Sequence, residues 1–263
     1  MSIHHITAGS GGPPIVFIHG FSCDHTDWAP QVAHFSPRHR VVAVDLPGHG
    51  QSKAPGTDCS IEAFGVAVAS LMRRMDLPPA IIVGHSMGCR VAPEVAVQAP
   101  DRTAGVVLID GSQFNAATDT LMRKVIGEGK LDAALQGMFA AMFNEKSAPS
   151  VKAAIVERAL ALPKDVAQQM TLDSVRYDLA RLEPTLAAVK SPMLVIQTTV
   201  TNERRERVPV KKGEAAPYFD MLRRVVPGVE IEALEGCGHF PQIDAPAETN
   251  ALLERFIAKV AKR

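Results

Sequence analysis

No run of 18 apolar residues occurs in the sequence, and its first dozen residues, MSIHHITAGSGG, lack a basic segment followed by a long apolar one. A soluble, cytoplasmic protein without membrane contact is therefore expected. Excess charge is missing too. Lys+Arg and Asp+Glu stand at 28 each, so no net positive field draws in nucleic acid. The four cysteines, Cys23, Cys59, Cys89 and Cys237, are scattered and match no zinc or redox spacing. Reduced thiols are expected, with no metal and no organic cofactor. What the sequence does have is apolar material, 46% of 263 residues. That suffices to bury a sizeable core, as one domain or as a core with a modest insertion.

That material is organised. PIVFIHG reads as a short buried strand ending at Gly20, and RVVAVDLPG, AIIVGHSMG and AGVVLIDGS repeat the pattern up to about residue 110. Helix-length stretches over roughly 25–35, 60–75 and 86–99 separate them. Continuously apolar strands alternating with helices predict a mostly parallel central sheet with helices on both faces, an α/β fold. From Ser112 to Lys190 the strand rhythm stops, and Met, Leu and Phe recur at helical spacing, enough for about four short helices. Strands resume at PMLVIQTT and VEIEALEG. The insertion over 112–189 thus interrupts one core made of 1–111 and 190–263. Its methionines suit an adaptable apolar cavity, or simply helix-on-helix packing.

Chemistry concentrates at strand ends. Gly84-His85-Ser86-Met87-Gly88 fits G-x-S-x-G between a predicted strand and a predicted helix. A nucleophilic serine on so sharp a turn needs glycines two residues either side, because side chains there would collide with strand and helix. The helix N-terminus favours the negative charge that develops on attack. The loop after Gly20 offers backbone amides, so Phe21 and Met87 are the candidate oxyanion donors. Asp45, in the glycine-rich turn DLPGHGQS, reads as a residue that holds its turn. His239, in GCGHF after the last predicted strand, is the candidate general base. His19 reads as structural, and His4, His5, His25, His34, His39 and His49 lack a comparable late strand-end position. Trp28, the sole tryptophan, reads as core or pocket wall.

HGF at a strand end, DLPGHGQS, GHSMG and GCGHF, in that order, resemble the segments of the α/β-hydrolase fold, in particular its serine hydrolases with a helical cap. The resemblance covers almost all of 13–111 and 190–262. It implies Ser86 as nucleophile, His239 as base, and Phe21 and Met87 as oxyanion amides, in agreement with the residue-level reading. It also exposes a gap. Most such enzymes carry an Asp soon after the strand that corresponds to PMLVIQ, whereas QTTVTNERRERV has no Asp, and none occurs before Asp220 in a predicted helix. Asp110 ends the strand that follows the nucleophile's, so strand order brings it to the site. Glu203 is the rival, with Arg204, Arg205 and Arg207 as competing ion-pair partners, and a site without an acid is the third option.

The expected activity is hydrolysis of a small to medium carboxylic ester or lactone through an acyl-enzyme, on an apolar or weakly acidic small molecule. A C–C bond hydrolase of a ring-cleavage product, with Arg90, Arg176 or the loop arginines meeting an acid group, is the alternative within enzymes. A small-ligand receptor without turnover is the alternative outside them. The cluster ERRERVPVKKGE reads as a solvated loop or as a rim of the pocket. Apolar cap helices leave packing within one subunit or in a homo-oligomer equally open.

Overall fold

The computed structural model describes residues 2–52, 58–202 and 207–262. Nine strands are found among them: β1 (His5–Ala8), β2 (Ile15–Ile18), β3 (Val41–Val44), β4 (Ala80–His85), β5 (Thr103–Ile109), β6 (Met193–Gln197), β7 (Thr199–Thr201), β8 (Arg207–Pro209) and β9 (Glu230–Ala233). Seven form one sheet in the order β1-β3-β2-β4-β5-β6-β9, parallel throughout except for β1, which runs antiparallel to β3. This is the α/β architecture that the apolar strand rhythm predicts. β1 was not foreseen, and the charged segment after β6 contains a small β7–β8 hairpin rather than only a loop.

The helices are α1 (Ala29–Phe35), α2 (Ile61–Arg74), α3 (Gly88–Gln98), α4 (Ala116–Gly127), α5 (Leu131–Ala140), α6 (Pro149–Ala161), α7 (Lys164–Ala180), α8 (Leu182–Ala188), α9 (Pro217–Val225), α10 (Pro241–Asp244) and α11 (Pro246–Val260). Successive strand residues point to opposite faces, and here both faces are covered. Val16, Ile18, Val42, Val44, Ile82 and Leu108 pack beneath α2 and α3, while Ile15, Phe17, Val41, Ile81 and Val83 pack against Trp28, Phe35 and Phe256. Each such fully buried side chain contributes about 1.5–3 kcal/mol of apolar transfer. Trp28 is core, stacked on Phe17 at 4.7 Å between ring centroids.

Between β5 and β6 lie five helices, α4 to α8, one more than the sequence suggested. Their apolar side chains divide between two clusters, with α7 reaching both. Met170, Val175, Tyr177, Leu182 and Leu186, on α7 and α8, join the core cluster under α3. Leu131, Leu135, Phe139, Ile155 and Ala159, on α5 and α6, form a separate cluster that takes in Cys23 and Phe240 from the strand-end loops. The join to the core is ionic as well as apolar. Arg90 on α3 donates from Nε (2.7 Å) and Nη2 (2.5 Å) to Asp178 on α7, with the two side chains 4% and 0% exposed, and its guanidinium stacks over Phe114. Burial outweighs the bonds from Arg90 and Phe114 N, so the Asp178 carboxyl stands above its ordinary value. A guanidinium does not deprotonate, so two charge-assisted bonds hold Asp178 as the anion.

Candidate active site

β4 delivers Ser86 to the C-terminal end of the sheet. Its φ of +54° lies in the left-handed region, a conformation that costs a non-glycine residue free energy and persists only where surroundings enforce it. The enforcement is visible in the neighbours. A Cβ on Gly84 would stand 2.1 Å from the carbonyl oxygen of Gly88, and one on Gly88 would stand 2.5 Å from that of Ile18. Ser86 N donates to Ile109 O at 3.0 Å, and the Cys89 thiol packs beneath the turn within 3.3 Å of Gly84 O.

His239 Nε2 lies 2.8 Å from Ser86 Oγ, and His239 Nδ1 lies 2.6 Å from Asp110 Oδ2. The structure thus brings together Ser86, His239 and Asp110, drawn from three widely separated segments. Glu203, the rival acid, lies outside the described residues, as do Arg204 and Arg205. Asp110 is buried and also has positive φ, +48°. Burial alone would raise its carboxyl, but the bond from His239, the positive charge of Arg207 and the Thr199 hydroxyl outweigh this and hold it well below the usual range. The segment without an acid supplies donors to this one: Thr198 N (2.8 Å) and Thr199 N (2.7 Å) reach Asp110 Oδ1, and Thr199 Oγ1 (2.6 Å) and Arg207 Nη1 (3.1 Å) reach Oδ2.

Phe21 follows Gly20 in a turn closed by Cys23 N to Gly20 O at 3.2 Å. The turn runs against the serine, since a Cβ on Gly20 would stand 3.0 Å from Ser86 Cβ. Met87 directly precedes α3, whose first residues begin a helix without a side-chain cap. Among the described residues neither the Phe21 nor the Met87 amide has a protein acceptor. Both therefore remain available to an oxygen on a ligand.

Over residues 15–252 the sequence matches the alpha/beta hydrolase family. The chain belongs to that family. The chain is 26% identical, over 97% of its own length, to the dihydrolipoyllysine-residue acetyltransferase component of the acetoin cleaving system of Cupriavidus necator, of which it spans 66%. It is 26% identical to the 2-(acetamidomethylene)succinate hydrolase of Mesorhizobium japonicum, over 94% of this chain and 88% of that protein. Among solved structures, a thermophilic esterase from Thermogutta terrifontis superposes with a TM-score of 0.81 at 22% identity, covering 98% of this chain and 93% of that one. Est816, described as an N-acyl homoserine lactone degrading enzyme, gives 0.79 at 22% identity, covering 97% and 96%.

Several contributors to the site were not named from sequence. His85, the residue before the serine, donates from Nε2 to the His239 carbonyl at 2.7 Å, and His239 N donates to Met142 O at 2.7 Å. Thr198 Oγ1 donates to Gly238 O at 2.8 Å. Burial, and then the nearby Arg207 charge, push the His239 imidazole down to about 4 against the pull of Asp110.

Other expectations sort clearly. His19 is structural, with Nδ1 donating to Gly20 O (2.7 Å) and Nε2 accepting from Leu46 N (3.0 Å). Arg90 is spent on Asp178, and Arg176 pairs with Glu62 and Asp173. The four cysteines are free and buried. His4, His25 and Asp45 form the one group with metal-ligand side chains among the described residues. Asp45 takes His4 Nδ1, His25 Nδ1, His25 N and Gln51 N at 2.8–2.9 Å, so its oxygens are saturated and the cluster pins its turn. No helix of the described residues is long and apolar enough to cross a membrane. A cavity of about 820 Å³ opens beyond Asp110, with Gly111, Gln197, Thr199, Arg207 and Tyr218 among its walls and neither Ser86 nor His239 in them.

Proposed function

We propose that the chain is a serine hydrolase cleaving a small to medium carboxylic ester or lactone through an acyl-enzyme, on an apolar or weakly acidic small molecule. The observation that carries this reading is the bonded series Ser86–His239–Asp110 at 2.8 and 2.6 Å, with the serine on a positive-φ turn. Esterase and lactonase folds among the structural neighbours are consistent with it.

Ser86 Oγ attacks the carbonyl carbon while His239 Nε2 takes its proton. Asp110 fixes the Nδ1–H tautomer and stabilises the imidazolium as it forms. The Phe21 and Met87 amides receive the oxyanion, and His239 returns the proton to the leaving oxygen. Water then attacks the acyl carbon as His239 takes one of its protons, and His239 passes that proton to Ser86 Oγ as the acyl–Oγ bond breaks, releasing the acid and free Ser86. Arg207 Nη1 stands 3.1 Å from His239 Nδ1, and the Asp110 carboxylate contacts both cations in the charged intermediate. Helices α4 to α6, whose cluster reaches Cys23 and Phe240, are the part of the cap assigned to the substrate side. The buried free thiols suit a reducing cytoplasm.

A fluorophosphonate probe tests the nucleophile: it should label Ser86 and lose its target in Ser86→Ala. Asp110→Asn should lower ester turnover by roughly 10⁴-fold with the fold intact, as loss of tautomer control predicts. Near-normal turnover of that variant rejects Asp110 as the acid. A panel of esters, lactones, thioesters and a vinylogous diketone separates ester from C–C cleavage, and saturable ligand binding without labelling of Ser86 would favour a receptor.

A further inference from the structure

Arg207 is a cation at the site for which hydrolysis itself has no stated use. β8 pairs antiparallel with β7, with Thr201 opposite Arg207, and this register turns one arginine of a charged run inward. Its Nη1 donates to Thr199 Oγ1 at 2.6 Å and Asp110 Oδ2 at 3.1 Å while standing 3.1 Å from His239 Nδ1. His239 Nδ1 commits its proton to Asp110, so it offers Nη1 no lone pair. The contact therefore sets a permanent positive charge one hydrogen-bond length from the imidazole.

We propose that Arg207 is a positioning residue that keeps His239 the neutral base into acid, by sharing the Asp110 carboxylate and opposing positive charge on the ring. This rests on reading His239 as the base. The groups facing His239 are Asp110 from β5, Arg207 from β8, Ser86, and His85 from β4, whose ring centroid lies 4.7 Å away. His85 is itself held neutral by burial, then by His239, so Arg207 is the cation and Asp110 the anion of this shell. The device has a cost. A ring that resists protonation is a weaker base at the moment of attack, so Arg207 trades peak rate for an active site that stays competent as pH falls.

The test reads the His239 ring directly, by NMR of imidazole-labelled protein between pH 8 and 5.5, with circular dichroism reporting the fold. In the wild type the ring should show no titration in that range. In Arg207→Met it should titrate within the range, shifted up from about 4 by roughly 2 pH units, as expected for removal of an adjacent like charge, and Arg207→Lys should stay near wild type. The acid limb of kcat/KM for a neutral ester should move up by the same amount, with the alkaline plateau held or raised. Methylguanidinium, admitted through the cavity that Arg207 lines, should move the Met variant's ring back down. An unchanged His239 titration in the folded Met variant overturns the proposal. So does a KM increase confined to acid-bearing esters, which would make Arg207 a substrate contact. Failure of the hydrolase reading would show separately, as a wild type whose Ser86 is not labelled while the ring titration is still readable.

Discussion

Four histidines are buried in the folded chain: His19, His49, His85 and His239. Burial is the leading cause that holds each below its ordinary value of 6.5, with His49 reaching about 3 and His239 about 4. A group whose folded pKa is depressed stays neutral where the unfolded chain protonates, so acid favours unfolding. The stability at stake is intact above 6.5 and is lost as pH falls toward the folded values. At pH 5, 1.5 units below 6.5, each excluded proton costs about 2 kcal/mol, so His49 and His239 together cost about 4 kcal/mol. That is a large share of the roughly 5–15 kcal/mol by which domains are stable. Urea unfolding followed by circular dichroism from pH 7.5 to 5 should therefore show a slope that approaches about 2.7 kcal/mol per pH unit below pH 6, two protons' worth. His49 has an unpartnered Nε2 and packs its ring against His19 and Phe64, so His49→Phe should flatten the slope by one proton. A slope that never exceeds one proton, about 1.4 kcal/mol per unit, would refute the reasoning. So would imidazoles that titrate near 6.5 in the folded protein.

Asp178→Leu leaves Arg90 buried without its anion and should cost about 3–5 kcal/mol, seen as a Tm loss of roughly 6–20 °C. Adding Arg90→Met should regain most of it, and a double variant no better than the single would disprove an ionic origin. Gly84→Ala puts a Cβ 2.1 Å from Gly88 O and should abolish soluble folded protein, checked by expression and circular dichroism. Gly137→Ala, an exposed position in α5 with nothing within 4 Å of the added Cβ, should instead raise Tm, by an amount corresponding to about 0.5–1 kcal/mol.

Elements buried on two faces were legible because the requirement is local: β2 to β6 are apolar at nearly every position, the polar exceptions Thr103, His85 and Gln197 standing at strand ends, and the runs say so. β1 was not, because HITA is a half-buried edge strand with no such constraint. GHSMG was legible because Gly84 answers a contact made within the turn, although Gly88 makes room for the Ile18 carbonyl on β2. Asp110 could be reached from strand order alone. Its supporting donors could not. Thr198 and Thr199 act through backbone amides, which any residue supplies, and the role of Arg207 depends on a three-residue hairpin register hidden inside a stretch that reads as solvated charge. His85 stood in the motif itself, yet its partner is a carbonyl 154 positions away.

The bond from the His239 amide to the Met142 carbonyl bears on how members of this family can be recombined. The loop that carries the imidazole leans on the connection after α5, and Gly238 allows the approach, since a Cβ there would stand 2.7 Å from that same carbonyl. A chimera that borrows helices from another member to accept a different molecule must bring an oxygen to the same place. Without it the imidazole's loop loses a strut. Selectivity and rate are inherited together here, and shuffling the insertion alone exchanges neither cleanly.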